Sequence, residues 1–123
     1  MINLTFPQNE DFTKAPVFEI EKALNRVHNK KELLERVIEI FVKSLDEKKD
    51  IIENELDNEN WETLGTIAHS IKGSSWTIGA QQLGNIAYQM EKTAAKKDLD
   101  LFRQLFQVFQ TAMKEFRDMD KTM

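Results

Sequence analysis

Residues 60–119 read NWETLGTIAHSIKGSSWTIGAQQLGNIAYQMEKTAAKKDLDLFRQLFQVFQTAMKEFRDM, and the spacing of their apolar residues decides the fold. Over 99–119, Phe102, Leu105, Phe106, Phe109, Met113 and Phe116 recur every three or four positions, as one face of an α-helix does. Leu83, Ile86, Ala87, Met90 and Ala94 repeat the pattern over about 80–96. Trp61, Leu64, Ile67, Ala68, Ile71 and Ser75 repeat it over about 60–76. The breaks between these segments are short. Thr77-Ile78-Gly79 ends the first, and Lys97-Asp98 separates the other two, with Asp98 available as an N-cap.

Working back toward the N-terminus, Asp57-Asn58-Glu59-Asn60 is a polar turn rich in capping residues. A longer helix precedes it, over about 30–56. Its buried stripe is Leu34, Val37, Ile38, Phe41, Leu45, Ile52 and Leu56, with Lys and Glu on the other side. Asn29, with Glu32 three residues on, reads as its N-cap and capping box. A short helix over 17–27 ends at His28-Asn29. Both prolines, Pro7 and Pro16, fall in residues 1–16, which read as a leader or linker before a domain at 17–119. Strand-like alternation is absent. Four long amphipathic helices with short connections pack antiparallel to their sequence neighbours. The expected fold is therefore all-α: an up-down-up-down antiparallel four-helix bundle with a short additional N-terminal helix as a lid on one end. Once that bundle forms, no second apolar face is expected to remain, which predicts a monomer.

Composition narrows the function. The chain of 123 residues is long enough for one domain with a core. Its formal net charge of -4 makes it a poor non-specific partner for nucleic acid or anionic lipid. With no cysteine, disulfides, thiolate metal sites and cysteine nucleophiles are excluded, and two histidines are too few for a His-rich metal site. No run approaches the roughly 20 apolar residues of a membrane span, and the N-terminus lacks signal-peptide character. The expectation is a cytoplasmic domain without membrane contact, nucleic acid or a metal.

The segment Ala68-His69-Ser70-Ile71-Lys72-Gly73-Ser74-Ser75-Trp76 carries something a bundle does not need. At roughly 100° per residue, His69 points about 140° to 160° away from Leu64 and Ile71. Glu62, Gly65, Thr66, Lys72, Gly73 and Trp76 share its outward face. Gly65 and Gly73 flank the histidine by one turn on either side. A mid-helix glycine is worse than alanine by roughly 1 kcal/mol. In return, the two leave a floor without side chains where a bulky anion or another backbone can approach. Lys72, at i+3, can swing its ammonium over the imidazole. An exposed neutral imidazole beside a mobile cation suits a nucleophile that accepts an anionic group. A bare His-x-x-Lys is also what any surface histidine near a lysine looks like.

His69-Ser70-Ile71-Lys72-Gly73-Ser74-Ser75, with Ile78-Gly79-Ala80 and Leu83 after it, resembles the signature of histidine-containing phosphotransfer (HPt) domains. Phe18-Glu19-Ile20-Glu21-Lys22-Ala23-Leu24 is similar to the family's opening helix, and Asn60-Trp61-Glu62 also matches. The likeness spans roughly 17–116. It implies that His69 is the phosphoacceptor through Nε2, that Lys72 stabilises the phosphoryl group, and that Gly73 leaves steric access. It also implies that Glu91 on the following helix bonds Nδ1 of the ring. Such an acceptor fixes the tautomer and aims the Nε2 lone pair outward, as the aspartate of a catalytic triad does. Two positions depart from the family pattern. Trp76 stands where a small residue is expected, either packed onto the fourth helix or exposed as an anchor for a partner. His28-Asn29-Lys30 replaces a Gly-rich turn, and His28 is given no role.

The resemblance implies a phosphorelay intermediate with no kinase or phosphatase activity of its own. No phosphate-cradling glycine loop and no kinase motif is present. The partners implied are response-regulator receiver domains and a hybrid sensor histidine kinase, with Mg²⁺ supplied by the receiver and no cofactor held here. A docking face would include Gly65, Trp76, Gly84 and Tyr88 beside His69, Lys72 and Gly73. Two alternatives remain open on sequence. One is the phosphoacceptor domain of a chemotaxis-type histidine kinase, and the other is a four-helix adaptor in which His69 has no chemistry.

Overall fold

Every break in the helical period becomes a turn. The computed structural model describes residues 15–120. Within them lie five helices: α1 (Ile20–Arg26), α2 (Lys31–Asp57), α3 (Trp61–Ile78), α4 (Gln81–Lys96) and α5 (Leu99–Asp120). There is no strand among the described residues. The architecture is the all-α bundle with a short N-terminal helix. The first fourteen residues of the expected leader lie outside the described residues. Pro16 is tied down, its carbonyl accepting the N–H of Gln82 at 3.0 Å.

The local chemistry of the turns explains the helix ends. Asn60 caps α3, its side chain accepting the N–H of Thr63 at 3.4 Å. Asp98 caps α5 through the N–H of Leu101 at 3.1 Å. Gly79 closes α3 with φ of 91°, a left-handed conformation that glycine adopts without strain. Its carbonyl accepts the N–H of Glu19 at 2.9 Å. The Arg26 guanidinium bonds the carbonyls of Trp76 and Thr77 at the C-terminal end of α3, where a cation also suits the helix dipole. Thus α1, together with Pro16 and Glu19, is fastened to the α3–α4 turn.

The core is the apolar stripe of each long helix. Leu34, Ile38, Leu45, Ile52, Leu64, Ile71, Leu83, Ile86, Met90, Phe102, Phe109 and Phe116 are essentially fully buried. Phe116 is the junction of three segments. Its ring meets Phe18 edge-on at 5.1 Å and Phe41 at 5.4 Å between centroids. Such aromatic pairs contribute about 0.5–1.5 kcal/mol beyond the area they bury. Trp61 packs edge-on against Phe102 at 5.9 Å. A two-residue turn holds α3 and α4 side by side, and this pairing positions the site.

Four details differ from the sequence expectation. The helix limits move: α1 begins at Ile20, and α3 continues through Thr77 and Ile78 to end at Gly79. Asn29 does not cap α2. Its φ of 61°, with 55° at His28, turns the chain, and its N–H closes onto Leu24. Lys30 takes the N-cap position without a side-chain bond. Val37 leaves the core stripe and is 37% exposed. It lines a groove of about 420 Å³ with Ala23, Val27, Leu34, Ile40 and Phe41, because α1 is too short to cover that side of α2. Finally, α2 keeps Leu33, Ile40 and Ile51 exposed as well. A second apolar face therefore remains, and the reason given for a monomer does not hold.

Candidate functional site

His69 sits mid-way along α3 with its side chain 66% exposed. The position follows from the register of α3: Leu64, Ala68, Ile71 and Ser75 are buried, so the intervening residue faces out. From α4, Glu91 reaches across. One of its oxygens, Oε2, lies 2.7 Å from His69 Nδ1, and the other, Oε1, accepts from Lys72 Nζ at 2.8 Å. The three residues singled out in the sequence are thus one hydrogen-bonded unit spanning two helices. The lysine does not swing over the imidazole as expected, because the carboxylate offers its ammonium a closer partner.

Electrostatics set the protons in this unit. Partial burial pushes the Glu91 carboxyl up, but hydrogen bonds and charge from Lys72 and His69 outweigh it and hold the carboxyl below its ordinary value. Glu91 is therefore ionised at neutral pH and can only accept. The hydrogen between it and the ring must sit on Nδ1. In the neutral ring, Nε2 then carries the lone pair, as a nucleophile needs.

The two glycines differ. A Cβ added at Gly73 would meet nothing within 4 Å, so this glycine leaves open space beside the histidine on the solvent side. At Gly65 an added Cβ would touch Ala94 at 3.7 Å, an ordinary contact. Gly65 lies in a depression of about 360 Å³ that also includes Trp61, Glu62, Thr66, His69 and Glu91.

Trp76 resolves toward packing while remaining 40% exposed. Its indole lies over Gly84, where an added Cβ would fall 2.1 Å from Cδ1, and Nε1 donates to Asn85 Oδ1 at 3.2 Å. Gly84 is itself buried, so its expected place in a docking face is corrected: it is the seat of the indole. Tyr88, 37% exposed, stands next to Trp76 with ring centroids 6.1 Å apart. Sequence reading missed Asn85, and it missed Lys92, whose ammonium lies 4.8 Å from the Tyr88 ring centre. Neither has a sequence signal, since both matter only through a neighbour on the packed surface. No cluster of metal-ligating side chains occurs among the described residues.

A family model for the Hpt domain matches residues 36–119. The chain belongs to the Hpt domain family. That match covers α3 and α4 entire, so the His69–Glu91–Lys72 unit lies within the Hpt region. Searches of curated proteins and of solved structures returned no match. An Hpt domain acts in phosphotransfer within two-component signalling, carrying phosphoryl groups and interacting with receiver domains. No described helix is long and apolar enough to cross a membrane.

Proposed function

We propose that His69 accepts a phosphoryl group from the phospho-aspartate of one receiver domain and passes it to the aspartate of another. The observation that carries this reading is the ring's orientation: Nδ1–H donates to Glu91 at 2.7 Å, while the side chain is 66% exposed. In the forward step the Nε2 lone pair forms an N–P bond as the acyl-phosphate P–O bond breaks, returning the receiver's carboxylate. Glu91 offsets the positive charge that develops on the ring. Lys72 is the cation for the phosphoryl oxygens, and Gly73 keeps the approach open. Gly65, Trp76 and Tyr88 contribute to the face that meets the receiver.

In this reading Mg²⁺ comes with the receiver, the domain works in the cytoplasm, and a hybrid sensor kinase starts the relay. The chain itself supplies no kinase or phosphatase activity.

The test is incubation with a panel of phosphorylated receivers. Label is expected to pass to the wild type and not to His69→Gln, and to be acid-labile and base-stable on the product. If no receiver donates to the folded protein, the reading fails. Labelling by an ATP-binding kinase domain instead would make this the substrate domain of a kinase, and failure of both would leave the adaptor.

A further inference from the structure

Lys72 is held on three sides. Its side chain is only 18% exposed, and its ammonium bonds Glu91 Oε1 at 2.8 Å. The same nitrogen lies 5.3 Å from the ring centre of Tyr88 and 5.9 Å from that of Trp76. Both distances fall within the range in which an aromatic face attracts a cation. The wall is itself fixed: Trp76 is seated on Gly84 and bonded to Asn85, and Tyr88 stands against it. A lysine stem with four rotatable bonds otherwise loses much of its time to other rotamers.

We infer that Trp76 and Tyr88 are positioning residues that hold the Lys72 ammonium on Glu91, and through Glu91 set the charge felt by the His69 ring. The line of influence runs from the aromatic pair to Lys72, to Glu91 Oε1, to Glu91 Oε2 and to Nδ1. With Lys72 in place, Glu91 is partly neutralised. With Lys72 released, the full carboxylate charge acts on the imidazole and favours its protonated, non-nucleophilic form. Glu62 on α3 lines the same depression as the ring, and Lys92 on α4 has its ammonium 4.8 Å from the Tyr88 ring centre. The consequence for phosphotransfer rests on the relay reading; the positioning itself does not.

The experiment is an NMR titration of His69 in the free protein, which needs no partner. Lys72→Ala is expected to raise the His69 midpoint, because it removes the cation that shares the carboxylate bonded to the ring. Trp76→Ala and Tyr88→Ala are expected to shift it the same way by less, and Trp76→Phe and Tyr88→Phe to restore it. Gly84→Ala, which displaces the indole without removing it, is expected to act like Trp76→Ala. In the wild type the Lys72 ε-methylene protons should show an upfield ring-current shift, a reading that requires no variant to fold. An unshifted Lys72 signal, or folded variants whose His69 midpoint stays at the wild-type value, overturns the inference. Shifted midpoints in a protein that no receiver phosphorylates would sink the relay and leave the positioning intact.

Discussion

At the scale of single residues, the site is a carboxylate shared between a histidine and a lysine. Glu91 decides more than its partners do, because it bonds both. Glu91→Gln is expected to slow transfer to His69 by one to two orders of magnitude, since the amide orients the ring without offsetting its charge; rapid-quench kinetics would read this. The same residue makes stability depend on pH. Its folded carboxyl titrates below the ordinary value of 4.5. The stabilisation is therefore fully present above that value and lost as pH falls through the depressed one. In urea titrations the advantage of wild type over Glu91→Gln should shrink as pH falls below about 4.5. Gly73 sets stability against function. An added methyl meets nothing, so Gly73→Ala is expected to stabilise the helix by up to about 1 kcal/mol while slowing receiver transfer. Gain in both would remove the steric role assigned to it.

At the scale of elements, the α3–α4 hairpin is the unit of function, and its turn holds it in register. Gly79 has a positive φ, and a Cβ there would stand 3.3 Å from the Glu19 carbonyl oxygen. Gly79→Ala is accordingly expected to destabilise the fold by about 1–3 kcal/mol. The crossing of His69 and Glu91 should loosen with it, visible as a change in the His69 ring resonances. The legibility of these elements from sequence was uneven for a physical reason. Asp98 could be read as a cap because a cap bond joins residues three apart. Asn29 could not be read correctly, because the same residue type also tolerates the left-handed turn it adopts. Trp76 was ambiguous because its seat, Gly84, and its partner, Asn85, lie on another helix.

At the scale of the whole molecule, stability resides in the helix stripes and their aromatic junction. Phe116→Ala, which empties the site where Phe18 and Phe41 meet, is expected to cost about 3–5 kcal/mol in chemical denaturation. Ile40→Lys, at a position 64% exposed on α2, is expected to change stability by no more than about 0.5 kcal/mol. The contrast separates core from surface: Phe116 lies in the inward stripe of α5 and is fully buried, whereas Ile40 lies off the stripe of α2 and is exposed.

Sequence alone determined the number and order of the helices, the inward face of each long one, and the outward placement of His69. Those follow from a 3.6-residue period and from bonds between near neighbours, both written along the chain. With the family likeness it also singled out Lys72 and Glu91. What only the tertiary structure decided is that one carboxylate is divided between the two, that Gly84 lies beneath an indole, and that α2 keeps an uncovered apolar side. Each of these depends on the distance and rotation between two packed helices, and no periodicity within one helix encodes that geometry.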